Sequence, residues 1–151
     1  MKRIMALDVG ERRIGVAVSD PLGVIARTLT VVQRKADDTA IARIKSLLDE
    51  QDVGRLVVGH PRLLSGEVGS QARAVEEFAR ELEAATEVAI EMWDERLSTV
   101  TAARVLTEQG ESTRQQKTRI DAVAAAVILQ DYLDASRLRA SLIHKDDESY
   151  D

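Results

Sequence analysis

At 151 residues, with 44% hydrophobic and 31% charged, the chain has the size and balance of one globular domain rather than of a disordered segment. A net charge of −5 argues against a general nucleic-acid coat protein, although clustered active-site carboxylates beside a few local arginines give the same sum. With no cysteine, disulfides, zinc fingers and thiol nucleophiles are excluded, and no stretch reaches the roughly 18 apolar residues that span a membrane.

The apolar start at Ile4-Met5-Ala6-Leu7 is too short for a signal peptide and is interrupted by Asp8, so a soluble, cytoplasmic protein is expected. Aromatics are scarce at 3%, which leaves Val, Ile, Leu and Ala to build the core. Residues 3–9 and 13–19 predict two strands joined through Gly10-Glu11-Arg12-Arg13. Asp20-Pro21-Leu22-Gly23 is turn chemistry, and the β-branched stretch 24–33 predicts a third strand, completing an antiparallel meander. The period then becomes helical: Ala40, Ile41, Ile44, Leu47 and Leu48 share a face, with Asp37 or Asp38 as cap. Residues 55–59 predict a short buried strand, ended by His60-Pro61 and a loop rich in Gly and Ser.

A second helix places Ala72, Val75, Phe78, Ala79 and Leu82 on one face, and residues 88–93 predict the fifth strand. Ser98 or Thr99 can cap a helix through about Gln109, residues 110–118 predict a polar loop, and Ile120 to Leu133 is the last helix, apolar throughout 122–129. From Arg137 the composition is charged. The expectation is therefore one domain, 1–136, with a disordered tail, 137–151. The order β-β-β-α-β-α-β-α-α demands parallel crossovers after the meander, hence a five-stranded mixed sheet covered by helices. That is the element order of the ribonuclease H-like α/β fold.

Three carboxylates stand in awkward places. Asp8 ends the first strand with apolar neighbours on both faces, where a charge is costly unless paired or bound to metal. It either caps the Gly10 turn, pairs with Arg12 or Arg13, or belongs to a functional site. Glu95 follows a strand predicted parallel to the first, and sites form at the carboxyl ends of such strands; a local surface turn is the bland alternative. Asp121 lies in the first turn of the last helix, where the helix dipole alone would explain it. Together they suit phosphodiester hydrolysis with Mg²⁺ or Mn²⁺, since hard cations prefer oxygen ligands. Asp8, Glu95 and Asp121 are accordingly the candidate catalytic and metal-binding residues. Arg12, Arg13 and Arg96 are the candidate phosphate contacts, weighed against ordinary surface charges paired with Glu11 and Asp94.

Leu7-Asp8-Val9-Gly10-Glu11-Arg12-Arg13-Ile14-Gly15, Val57-Val58-Gly59-His60-Pro61 with Gln71-Ala72, Trp93-Asp94-Glu95-Arg96-Leu97-Ser98-Thr99, and Ile120-Asp121 with the apolar run 124–129 are four motifs in order. They resemble those of the YqgF family, also called RuvX. The resemblance implies a ribonuclease H-like fold related to Holliday-junction resolvases, and a cytoplasmic nuclease of the 5′ end of precursor 16S ribosomal RNA. By position it implies functional roles for Asp8, Glu95 and Asp121. Glu11 stands where a small residue such as Thr is common, and His60 where Leu is usual; His60, open as base, ligand or structural residue, stays outside the candidate set. A further difficulty is the fourth strand, where junction resolvases carry their second carboxylate and this chain has Gly59 and His60.

Competing readings keep the chemistry but change the substrate to branched DNA, which would call for a homodimer with two symmetric sites. An ATPase of the actin type needs a second domain that 151 residues do not supply. A non-catalytic RNA-binding factor would want more stacking aromatics than Phe78, Trp93, Tyr132 and Tyr150.

Overall fold

The computed structural model describes residues 2–97 and 114–148. Five strands form one sheet: β1 (Arg3–Val9), β2 (Arg13–Ser19), β3 (Ala26–Gln33), β4 (Val53–His60) and β5 (Ala89–Asp94), in the order β3-β2-β1-β4-β5. The first three are the expected antiparallel meander, and β4 and β5 add in parallel beside β1. The turn before β3 is as its residues dictate: the Gly23 N–H donates to the Asp20 carbonyl at 3.1 Å. Asp20 Oδ1 also accepts from the Val24 and Ile25 N–H groups at 2.7 and 2.9 Å. Those backbone donors, Ile25 first, lower the Asp20 pKa.

Alternation along β1 decides which layer each residue joins. Met5, Leu7 and Val9 enter one core with Ile14, Val16, Leu56 and Val58, covered by α1 (Asp37–Glu50) and α2 (Ser70–Ala85) through Ile44, Leu47, Phe78 and Leu82. Ala6, Ala17, Val57 and Trp93 face the other way, against Ala124, Ala125, Ile128, Leu129, Tyr132 and Leu133 of α3 (Arg114–Glu148). Each large apolar side chain so buried contributes about 1.5–3 kcal/mol.

The two layers differ in side-chain size, and the difference sets the distance between α3 and the sheet. Alanines meet alanines on the α3 side, and at Gly15 the fit is tighter still. A Cβ there would fall far inside van der Waals contact distance of the Asp121 carbonyl oxygen. Gln130 pins the same helix to the start of β3, accepting from the Ala26 N–H at 2.9 Å and donating to the Val24 carbonyl at 3.0 Å.

Three expectations need correction. The α1 cap is Ala36, with no side-chain cap bond: Asp37 is drawn instead to Arg34 at 2.8 Å, and Asp38 accepts from the Thr39 N–H at 2.8 Å. The last helix begins at Arg114 rather than Ile120, and residues 137–148, assigned to a disordered tail, continue it to Glu148. No Gly or Pro interrupts 114–148, and Arg137 bonds Asp134 one turn back at 2.6 Å, so nothing local ends the helix. The helix expected over residues 98–109 lies outside the described residues. Over 122–129 every position of α3 is buried or half-buried, with Val123, Ala126 and Val127 half-buried.

Because only backbone stands opposite Gly15, Gly15→Ala must lift α3 from the sheet. Urea unfolding should show a loss of at least about 3 kcal/mol, the upper end for overpacking. A loss below about 1 kcal/mol would mean that α3 slides freely on the sheet.

Candidate active site

Asp8 is the sixth residue of β1, the middle strand of the sheet, and it shares the α3 face with Ala6. It is 6% exposed. Its cross-strand partner is Gly15, the residue on which the Asp121 carbonyl rests. The close approach that packs α3 therefore also brings Asp121 to Asp8's end of the sheet. Asp121 is held by Arg13, whose Nε donates to Oδ2 at 2.9 Å; about a quarter of each side chain is exposed.

Glu95 arrives from the other side. It begins a short 3₁₀ turn, Glu95–Leu97, directly after β5, yet it is only 8% exposed. β5 pairs with β4 so that Trp93 lies beside Gly59 and Asp94 beside His60. From there the Glu95 carboxylate folds back over β4: Oε1 lies 2.9 Å from where a Cβ of residue 59 would stand, with Ile128 Cδ1 at 2.7 Å from the same point. Gly59 is thus the gap that Glu95 fills. One step beyond the β1–β4 pair Leu7–Val58 stand Asp8 and Gly59, on strands spaced about 4.8 Å apart. The structure brings Asp8 and Glu95 together as two buried carboxylates over neighbouring strand ends. It accounts for the fourth strand's lack of a carboxylate, because the fifth strand supplies one through the gap.

Asp121 stands beside this pair but is turned to Arg13. Among the described residues no group of three His, Asp or Glu side chains is gathered tightly enough to hold a metal ion together. The donor chemistry nonetheless fits a hard cation: two buried oxygen donors are what Mg²⁺ takes from a protein when waters and substrate oxygens complete its shell.

His60 is on the opposite face. It is buried, and Nε2 lies 2.9 Å from Glu76 Oε1 on α2, close but not aligned as a hydrogen bond. The sheet separates it from both carboxylates, so it plays no part in this cluster.

The arginines are more committed than their spacing suggested. Arg13 carries Asp121. Arg96 is clamped to Asp94, with Nη2 to Oδ2 at 2.6 Å, Nε to Oδ1 at 3.1 Å, and its own N–H to Oδ1 at 3.0 Å. Arg12 is exposed on the β1–β2 turn. Sequence reasoning missed Arg62, whose Nη1 lies 3.9 Å from Asp94 Oδ2, and missed the structural meaning of Gly59. A glycine within an apolar strand was the available signal for the second. The Arg96 hydrogen bond first, then the Arg96 N–H and the nearby charges of Arg96 and Arg62, hold the Asp94 carboxyl below its ordinary value of 3.8.

Comparison with known proteins finds a family model, RuvX, described as Holliday junction resolvase, matching residues 2–135. A curated relative from Chloroflexus aurantiacus, named "Putative pre-16S rRNA nuclease", is 47% identical over 142 residues, covering 94% of this chain and 93% of its own. One of the same name from Moorella thermoacetica is 49% identical over 132 residues, covering 87% and 94%. Among solved structures, T. thermophilus RuvC in complex with Holliday junction substrate superposes with a TM-score of 0.53 at 15% identity, over 89% of this chain and 95% of that one. The fowlpox virus Holliday junction resolvase gives 0.52 at 14%, over 88% and 98%. At such identities these two establish the ribonuclease H-like fold.

Two outcomes follow from the geometry. Gly59→Ala should displace Glu95 and Ile128 together and cost about 1–3 kcal/mol in urea unfolding; an unchanged midpoint would show that Glu95 does not occupy the gap. Asp94 has a lowered folded pKa, so its stabilisation is present above the unfolded value near 3.8 and is lost as pH falls through the folded value. Melting curves of wild type and Arg96→Gln should therefore differ by a constant amount above about pH 5 and converge below about pH 4. A constant gap down to pH 3 would contradict the clamp.

Proposed function

Since this chain belongs to the RuvX family, we propose that it is a metal-dependent nuclease that hydrolyses phosphodiester bonds at the 5′ end of precursor 16S ribosomal RNA. The observation that carries the reading is the meeting of Asp8 and Glu95 over Gly59 at the carboxyl ends of β1 and β4. Burying two carboxylates side by side costs several kcal/mol if nothing offsets it. Two buried carboxylates at neighbouring strand ends also supply the oxygen donors that a hard cation takes. The names carried by the relatives supply the substrate.

Asp8 and Glu95 would hold Mg²⁺ or Mn²⁺, with Asp121 next to them. When bound, the ion would lower the pKa of a water and draw charge from the scissile phosphate. The chain's own contribution is placement. Asp8 sits on the central strand, with buried neighbours on both faces and paired strands on either side, so its carboxylate is fixed before substrate arrives. Glu95 is fixed by the cavity at Gly59, and burial of both excludes bulk water from one side of the reacting bond. Arg13 compensates the charge of Asp121, which keeps a third carboxylate from repelling the phosphodiester outright. Arg12, exposed at the same end of the sheet, is the arginine best placed to meet a phosphate.

Among the described residues no helix is long and apolar enough to cross a membrane; processing of ribosomal RNA would place the protein in the cytoplasm. The family model's description favours one other substrate, four-way DNA. Paired cuts there would need two copies of the chain, so sedimentation and cleavage of both substrates side by side separate the two readings.

The test combines cleavage with melting. Wild type should cut precursor RNA in Mg²⁺ or Mn²⁺ and Asp8→Asn should lose at least about 10³-fold in rate, the scale of electrostatic contributions at such sites. Millimolar metal should raise the melting temperature of wild type by mass action and that of Asp8→Asn much less. A wild type indifferent to metal in both assays would sink the assignment.

A further inference from the structure

The connection between β4 and α2, from Pro61 to Gly69, leaves the sheet at the end that carries Asp8 and Glu95. Its middle is a tight reversal. The Leu63 N–H donates to the Glu67 carbonyl at 3.0 Å, the Gly66 N–H donates to the Leu63 carbonyl at 2.8 Å, and Gly66 takes a φ of +91°. This is the pattern of a three-residue hairpin loop whose last residue is left-handed, a position that calls for glycine. The Leu63 side chain folds back on Gly69, with Cγ 3.4 Å from the Cβ position there. Beneath the turn lies the guanidinium of Arg96, 3.0 Å from the Cβ position of Gly66 and clamped in its turn by Asp94.

The reversal is therefore braced on both sides, and it carries Leu64 at 96% exposure. Turn tips favour Gly, Pro, Asn, Asp and Ser for backbone reasons. A leucine at this tip contributes nothing to the fold and leaves its whole apolar surface in water. Its location is specific: two residues, about 7 Å of chain, separate it from Gly66, and Arg96 directly follows Glu95. The apolar tip thus belongs to a braced loop at the end of the sheet that carries the two buried carboxylates.

We propose that Leu64 is a wedge that enters the base stack of a bound nucleic acid next to the scissile bond. The substrate is accordingly a helix that opens easily at the cut: a boundary between duplex and single strand, or a branch. This rests on the nuclease reading and narrows it. Leucines inserted at base steps unstack them, and unstacking costs least where a base is already mismatched or unpaired. Arg13 and Arg96 are both bonded to carboxylates, so an apolar contact at this end would add to what Arg12 can supply.

The test uses 2-aminopurine, which brightens when unstacked. Hairpin RNAs with the probe at each position around the duplex–single-strand boundary, and a four-way DNA junction with the probe at the branch, are titrated with full-length protein in Ca²⁺. Gels verify that the strands stay intact. Wild type should brighten the probe at least about twofold at one position, while Leu64→Ser binds within about threefold of wild type yet loses the brightening, and Leu64→Phe retains it. Since residue 64 touches nothing in the core, the melting temperature of each variant should equal that of wild type. Brightening that survives in Leu64→Ser would overturn the wedge. So would binding by wild type without brightening at any position, which would assign the tip to a protein partner. Failure of wild type to bind any of these nucleic acids would overturn the nuclease reading itself, a result distinguishable from the other two.

Discussion

The close seat of α3 on the sheet is the constraint from which the rest follows. At Gly15 the helix backbone touches the strand backbone with no side chain between them. A larger residue there would move the helix outward, and everything attached to it would move too. Ala6 and Ala17, small and stacked on the same face, keep the spacing uniform along the contact, and Ala124 and Ala125 answer them from the helix. The opposite face shows what the sequence does where such closeness is not needed: Leu, Ile, Val and Phe fill a thicker layer under α1 and α2. Asymmetry between the layers is thus a matter of function as well as packing, because only the thin layer brings a helix residue, Asp121, level with a strand residue, Asp8.

Closeness concentrates charge, and the structure disposes of each charge differently. Asp121 is the most exposed of the three carboxylates and takes an arginine. Asp8 and Glu95 are almost fully buried on neighbouring strands. Arg96 and Arg62 both approach Asp94, one residue away from Glu95. Holding Arg96 there fixes the start of the 3₁₀ turn, which in turn fixes the direction from which Glu95 enters the gap at Gly59. Charged groups at this end thus serve partly as scaffolding.

Much of this was legible in the sequence, for reasons that can be stated. The meander, the parallel additions and both helix faces over 40–48 and 72–82 follow from periodicity, because period-2 and helical patterns survive in a domain with one buried side per element. Asp8 was legible because a charge inside an apolar strand contradicts its surroundings. Asp121 and Glu95 were ambiguous alone, since a helix dipole or a surface turn explains either, and needed the motifs around them. What could not be read was distance. Gly59 looked like a missing carboxylate and is instead the room into which Glu95 folds. The partner of Arg13 could not be read because Asp121 lies 108 residues away, whereas the pairing of Arg96 with Asp94 was one of the readings the spacing left open and geometry selects it. The continuation of α3 past Ser136 was obscured by composition: a charged stretch without core-facing periodicity looks disordered, yet it inherits helix from the turns before it, and extending a helix is far easier than starting one.

The glycines carry the further lesson. Strand interiors disfavour glycine by roughly 0.5–1 kcal/mol relative to alanine, so Gly15 and Gly59 are local weaknesses in strands that otherwise consist of Val, Ile, Leu and Ala. Each is occupied by something that no side chain at that position could provide: a helix carbonyl at one, a carboxylate oxygen at the other. Gly66 repeats the device outside the sheet, where a left-handed residue over Arg96 lets the loop reverse and present Leu64. The intrinsic cost falls at the two strand positions, and the thick core under α1 and α2 contains neither of them. That division of labour accounts for the approach of Asp8, Glu95 and α3 on the thin face, at the carboxyl ends of β1 and β4. At Gly15 the backbone of α3 sets the spacing, and at Gly59 the side chains of Glu95 and Ile128 do, so that both strand ends depend on the absence of a Cβ.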